Sequence, residues 1–253
     1  MKNKSLNKRI FRVIVALLLL FSFSVSAQSL TGTRGLIKAP TARMYESGTL
    51  AIGMGYVPAK FFKRTYSYDG NQGVRTGSSG LNTFITVNLT SFIEVMFRYS
   101  HELNNKVNMT TQYFPDRMFT ARFKLIEEKK NRPAFVLGLQ DISALTETTC
   151  ESCTNFTATY IVGSKYFQYK NFDLDFSFGY AADLLSLPAK DFKGFFGGVE
   201  IKHNEFKQAQ ILIDYDTTSL NIGLQGYLFN RIHTVLGLMD FEPMFILAYR
   251  YKI

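Results

Sequence analysis

The chain reads as an all-β protein: a single antiparallel transmembrane β-barrel of about 12 strands, behind a cleaved N-terminal signal peptide. Three observations predict this. Hydrophobicity alternates residue by residue in about a dozen short segments, as the two faces of a sheet require. Long and short links alternate between those segments. A basic, then apolar, then small-residue start reads as an export signal, and no later segment forms a long apolar helix.

Residues 1–27 read as the signal. Lys2, Lys4, Lys8, Arg9 and Arg12 form its basic start, and Val13 to Phe23 is an apolar run broken only by Ser22. Val25-Ser26-Ala27 is then a small-residue cleavage site, with Gln28 as the mature N-terminus. The run is short for a transmembrane helix, which needs about 20 residues. Residues 28–48 follow as an extended segment, a lead-in on the periplasmic side or in contact with the lumen. Residues 49–253 form the barrel.

The strands are expected at 49–57, 81–89, 92–101, 118–127, 132–143, 156–167, 172–182, 192–204, 206–216, 219–229, 231–240 and 242–253. Most approach the 9–11 residues (about) that a tilted membrane strand needs. In the segment 172–180, Phe172, Leu174, Phe176, Phe178 and Tyr180 oppose Asp173, Asp175, Ser177 and Gly179. Ile93, Val95, Phe97 and Tyr99 oppose Glu94, Met96 and Arg98 in the same way, and Phe119, Ala121, Phe123 and Leu125 oppose Thr120, Arg122 and Lys124. The segment 231–240 departs from the pattern, with both faces largely apolar. Long links at 58–80, 102–117, 144–155 and 183–191 are separated by short ones, among them Thr90-Ser91 and Glu205. Long outer loops and tight periplasmic turns give that rhythm. Closure follows because hydrocarbon cannot satisfy the N–H and C=O groups of a free sheet edge. Tyr99, Tyr166, Phe167, Tyr180, Tyr227 and Tyr249 near strand ends supply interfacial girdles, and Phe84 and Tyr227 also read as inward aromatics.

Charge and cysteine content narrow the function classes. The formal net charge is +9, and the five basic residues of the signal have no acid beside them, so the remainder holds +4. That is too mild a balance to argue for nucleic acid. Cys150 and Cys153 sit in a polar, Thr-rich loop, with His101, His203 and His233 distant in sequence. They read as a small loop disulfide formed after export rather than a redox or zinc motif. No metal site or cofactor is expected.

The pattern turns a set of charges inward: Glu94, Arg98, Arg122, Lys124, Lys165, Asp173, Asp175, Glu200, Lys202, Asp214, Arg250 and Lys252. Unpaired charge in a low-dielectric wall is costly, so the expectation is a cross-strand network filling a narrow lumen, with a polar path as the alternative.

Gly35-Leu36-Ile37-Lys38-Ala39-Pro40-Thr41-Ala42-Arg43-Met44, followed by Ser47-Gly48-Thr49-Leu50, resembles the N-terminal motif of the YjbH-type exopolysaccharide-biosynthesis outer-membrane proteins. Phe92 to Tyr99, Asp116-Arg117 with Phe123-Lys124-Leu125, Ala134 to Asp141 and Val162 to Lys165 are similar in the same order. The Pro-Thr-Ala-Arg segment is the most specific part. The resemblance implies a place in the outer membrane and a role in producing or exporting extracellular polysaccharide. It singles out Gly35, Pro40, Thr41 and Arg43. Read from the residues, Gly35 and Pro40 punctuate a non-helical stretch. Arg43 either pairs with lumen carboxylates or stays solvated in the periplasm.

The partners expected are outer-membrane lipid, the barrel-assembly machinery and periplasmic export components. The alternating C-terminus, Phe245 to Ile253, resembles the signal by which such barrels are recognised for assembly, although it ends in Ile rather than Phe. Three functions compete: a non-enzymatic barrel assisting export or envelope organisation, a hydrolase on a barrel scaffold, and a soluble periplasmic carrier. None of the three histidines has a nucleophile or paired aspartates at an evident spacing, which favours the first.

Overall fold

The computed structural model describes residues 28–62, 64–68, 71–75, 78–103, 116–142, 156–184, 189–206, 208–228 and 231–253. The segment 1–27 expected to be an export signal and the Cys150/Cys153 pair lie outside the described residues. Among the described residues, fourteen strands occur in chain order: β1 Thr49–Val57, β2 Arg64–Tyr68, β3 Asn71–Arg75, β4 Gly80–Asn88, β5 Ile93–Glu102, β6 Asp116–Ile126 and β7 Ala134–Gln140. They continue with β8 Ala158–Tyr169, β9 Phe172–Ala182, β10 Gly194–His203, β11 Ala209–Tyr215, β12 Leu220–Leu228, β13 Ile232–Met239 and β14 Glu242–Lys252. Twelve close an antiparallel barrel in the order β1-β14-β13-β12-β11-β10-β9-β8-β7-β6-β5-β4. The other two, β2 and β3, form a separate hairpin within the link expected at 58–80.

The barrel has two ends. The turn end carries the short connections and the outer limits of β1 and β14, where Thr49 pairs with Lys252. The loop end carries the long links. Register fixes which side chains point inward, because a one-residue slip would exchange the faces. On β9, Phe176, Phe178 and Tyr180 face outward and are exposed, while Ser177 and Ala181 are buried inside. Exposed aliphatic and aromatic side chains continue around the wall at Ile52, Ile85, Phe97, Phe119, Ile161, Ile211, Ile222, Leu236 and Leu247. This closed wall, apolar outside and with no free edge, is a transmembrane barrel.

The inside is a packed core. Inward Phe84, Met96, Met118, Leu212, Val235, Met239, Met244 and Ile246 cluster with Leu30, Leu36 and Ile37 from the segment preceding β1. A second cluster joins Ala39, Ala42 and Met44 to Val136, Tyr160, Val162 and Phe196. Residues 28–48 are thus folded within the lumen. Isolated bridges Gln28–Arg34 and Gly35–Pro40 close two tight loops in this plug, so it is compact rather than extended. Two inward glycines receive its side chains. A Cβ on Gly55 would stand 2.7 Å from Leu30 Cδ2, and one on Gly198 would stand 2.6 Å from Leu36 Cδ1.

Candidate functional site

The candidate site is the lumen itself, built from the plug and the inward face of the wall. Near the turn end, Arg43 donates from Nε and Nη2 to the two carboxylate oxygens of Asp175 on β9, both at 2.7 Å. Its Nη1 donates to Glu128 Oε2 at 2.5 Å, in the turn between β6 and β7. The fork of the guanidinium matches the carboxylate, so this contact fixes direction as well as charge. Glu128 Oε1 in turn accepts from Tyr166 N–H and lies 3.0 Å from Lys165 Nζ. Burial pushes Glu128 up, but the Tyr166 N–H, Arg43 and Lys165 outweigh it and hold the carboxyl below its usual range.

Deeper in, Arg122 on β6 and Glu94 on β5 face each other at 2.6 Å, and both side chains are fully buried. Register makes them direct cross-strand partners. Arg122 also donates to the backbone carbonyls of Arg34 (2.9 Å), Thr41 and Arg43 (3.2 Å), so one guanidinium ties the plug backbone to the wall. Asn82, Thr86 and Asn88 on β4 do the same to the carbonyls of Leu30, Gly32 and Tyr45. Ala42 N–H donates to Ser164 Oγ at 2.7 Å.

Toward the loop end, Asp214 Oδ2 accepts from Lys38 N–H and Ala39 N–H, at 2.9 and 3.0 Å. Lys38 Nζ lies 3.3 Å from Asp216 and 3.6 Å from Asp191. Burial raises the Asp216 carboxyl, yet Lys38, with Thr218 and Ser219, holds it below its ordinary value. The plug is therefore tied by ions at both ends and by hydrogen bonds and apolar packing between them.

The expected inward charges divide into groups. Glu94, Arg98, Arg122 and Asp214 are buried in the lumen, with the Arg98 guanidinium 4.2 Å from the Phe156 ring centroid. Lys124, Asp173, Asp175, Glu200, Lys202 and Arg250 share the inward face but are only half-buried. Lys252 pairs with Glu46 at the turn-end rim. Lys165 is a correction: opposite the outward Phe176, it stands on the outer face. Its ammonium donates to the carbonyls of Lys129 and Lys130, because at the strand end a long side chain can fold over the neighbouring turn. Phe84 is inward and buried, while the ring of Tyr227 is inward and half-buried, 5.1 Å from His233 rather than in a girdle.

Among the motif residues, Gly35 and Pro40 close one plug loop, Thr41 gives its carbonyl to Arg122, and Arg43 makes the carboxylate pairs already described. Sequence reasoning missed Glu128 and Asp191, which lie in expected links, Asp216 at the end of the expected strand 206–216, and the inward Ser164, Asn82 and Asn88. Of the histidines, His203 packs edge-to-face with Phe172 at the turn end, His101 lies near Tyr99 toward the loop end, and His233 is in the lumen. Among the described residues, no group of three or more His, Cys, Asp or Glu is placed to hold a metal.

Residues 27–219 match the YjbH family model, whose description is "Exopolysaccharide biosynthesis protein YbjH". No curated protein matches. Among solved structures, the chain is similar to a KdgM porin, with a TM-score of 0.43 and 8% identity over 81% of this chain and 99% of that one. It is also similar to the COG4313 outer membrane channel from Pseudomonas putida F1, with a TM-score of 0.41 and 9% identity over 83% and 97%. The attachment invasion locus protein Ail of Yersinia pestis aligns with a TM-score of 0.21 and 8% identity over 81% and 99%.

Proposed function

Because the chain belongs to the YjbH exopolysaccharide-biosynthesis family, we propose that it is a non-enzymatic outer-membrane barrel that assists production or export of an extracellular polysaccharide while its own lumen stays closed. The observation carrying this reading is that residues 28–48, which include the family's most specific segment, occupy the lumen as a plug. A porin-like path would need a polar wall. Here the wall behind the plug is Met96, Met118, Leu212, Val235 and Ile246, so an empty lumen would put apolar surface against water. The barrel then serves as a membrane-held platform at which periplasmic export components dock, with the turn end as their side.

The test is surface polysaccharide in a strain deleted for this protein and complemented in trans. A drop restored by the intact chain is expected. Unchanged output in the deletion strain would remove the export role.

A further inference from the structure

The plug does not fill the lumen evenly. Between β4 and β8 the inward side chains near mid-height are buried, Glu94 and Arg122 completely. On the opposite wall Glu200 and Lys202 of β10, Tyr227 of β12 and Arg250 of β14 point inward yet remain half-buried, as does Arg34 of the plug. Solvent therefore reaches this side of the interior from the turn end. Beneath those residues lies a polar floor. Gln225 donates to Gln210 Oε1 at 2.7 Å, but its own Oε1 has no hydrogen-bond partner among the described residues, and neither does either ring nitrogen of His233. Both side chains are buried, His233 at 3% exposure and Gln225 at 0%.

Aromatic and cationic groups border that floor. The Arg250 guanidinium lies 5.5 Å from the Tyr45 ring centroid and 5.7 Å from that of Tyr227, while Arg34 lies 5.6 Å from the Tyr45 ring. The Tyr227 ring is 5.1 Å from that of His233. The fixed charges at this wall are Arg34, Lys202 and Arg250 against Glu200 and Asp173, the register partner of Lys202, while the neighbouring Asp175 is engaged by Arg43. A buried acceptor, an imidazole offering one donor and one acceptor, flat rings and an excess of positive charge define one ligand chemistry. Sugar hydroxyls fit the amide and imidazole, a pyranose face fits a tyrosine ring, and a carboxylate fits the guanidinium.

The geometry points to a binding site for an acidic saccharide unit in the turn-end vestibule, floored by Gln225 and His233 and bordered by Tyr227 and Arg250. It deepens the export reading, which supplies the choice of ligand, and makes the plug part of a receptor as well as a stopper. A polymer end held there would be presented to export components at the periplasmic side.

The probe is a hyaluronan tetrasaccharide, which alternates glucuronate with N-acetylglucosamine, titrated calorimetrically into the intact mature protein in detergent. Chitotetraose serves as the neutral control of equal length. Saturable binding of the acidic oligomer is expected, at least tenfold tighter than the neutral one. Gln225→Leu and His233→Phe should each weaken it tenfold or more. His233→Phe should leave the melting temperature equal or higher, because an unsatisfied buried polar group is removed, while Gln225→Leu should lower it modestly, because Gln210 loses its donor. Arg250→Gln should abolish the preference for the acidic oligomer, and Arg250→Lys should restore part of it. Absence of binding to the intact protein, or binding that all these variants retain, would overturn the site. Equal affinity for both oligomers would overturn its acidic specificity. Polysaccharide output in the deletion strain is scored separately, so a barrel needed for output that binds neither sugar would lose this site and keep its export role.

Discussion

Replacing Arg43 with alanine removes the ionic tie between plug and wall at the turn end, and the structure sets the size of the effect. Three charge-assisted hydrogen bonds are lost, two to Asp175 at 2.7 Å and one to Glu128 at 2.5 Å. The three side chains are each about one-fifth exposed, at 19%, 20% and 20%. Exposed pairs contribute about 0–1 kcal/mol, while removing one partner of a fully buried pair costs about 3–5 kcal/mol. Arg43 lies between these limits and nearer the second, because Asp175 is left beside Glu200, its register partner on β10. Lys165 still covers Glu128 and softens the loss there. An expected cost of about 2–3 kcal/mol follows. It is measured by guanidinium titration of the barrel in phospholipid vesicles, followed by far-UV circular dichroism. The difference between wild type and variant should also shrink in acid. Glu128 has its folded pKa depressed, so its contribution is present above the unfolded value of about 4.3 and is lost as pH falls through the folded one. A change below about 0.5 kcal/mol, typical of a solvated surface residue, with no dependence on acid, would refute the tie and leave Arg43 a solvated residue.

Other perturbations test the same interior. Gly55→Val should push Leu30 from its socket and destabilise by about 1–3 kcal/mol, and Leu30→Ala should then cost less in that background than alone, as a double-mutant cycle would show. Leu36→Ala should cost about 2–5 kcal/mol in the same denaturant assay, since Leu36 is buried against the wall; a neutral result would place it outside the core. Ala42→Cys with Ser164→Cys, in a background with Cys150 and Cys153 replaced, should crosslink the plug to β8 on oxidation without lowering polysaccharide output. Loss of output on oxidation, regained on reduction, would mean that the plug has to move.

The barrel was legible because lipid imposes a strict rule on the outer face. Strands such as Phe172–Ala182 alternate without exception where Phe176, Phe178 and Tyr180 meet hydrocarbon, and the expected 172–182 coincides with β9. The hairpin β2–β3 carries no such stripe, since Arg64-Thr65-Tyr66-Ser67-Tyr68 and Asn71-Gln72-Gly73-Val74-Arg75 hold too few apolar residues to form one. The interior was harder to read for a different reason. Its residues answer to a segment that has no periodicity of its own, so neither Leu36 nor Ile37 announces where it goes. One signal did exist. The segment 231–240 looked irregular because both of its faces are apolar, and β13 turns Val235 and Met239 inward onto the plug while Leu236 and Leu238 face out. Arg43 was nameable from its motif, but its partner Glu128 lies in a charged turn where a carboxylate is ordinarily solvated. Lys165 was misplaced because β8 lacks a clean alternation: Tyr160, Ile161 and Val162 are consecutive apolar residues, and Tyr166 and Phe167 sit side by side just beyond Lys165.

Single-channel recording of the purified mature barrel in a planar lipid bilayer tests the filled lumen most directly. The structure predicts insertion without steady ion current, and discrete openings only after residues 28–48 are deleted or their ties at Arg43 and Lys38 are broken together. A stable ohmic current through the intact chain would mean that the plug does not close the barrel.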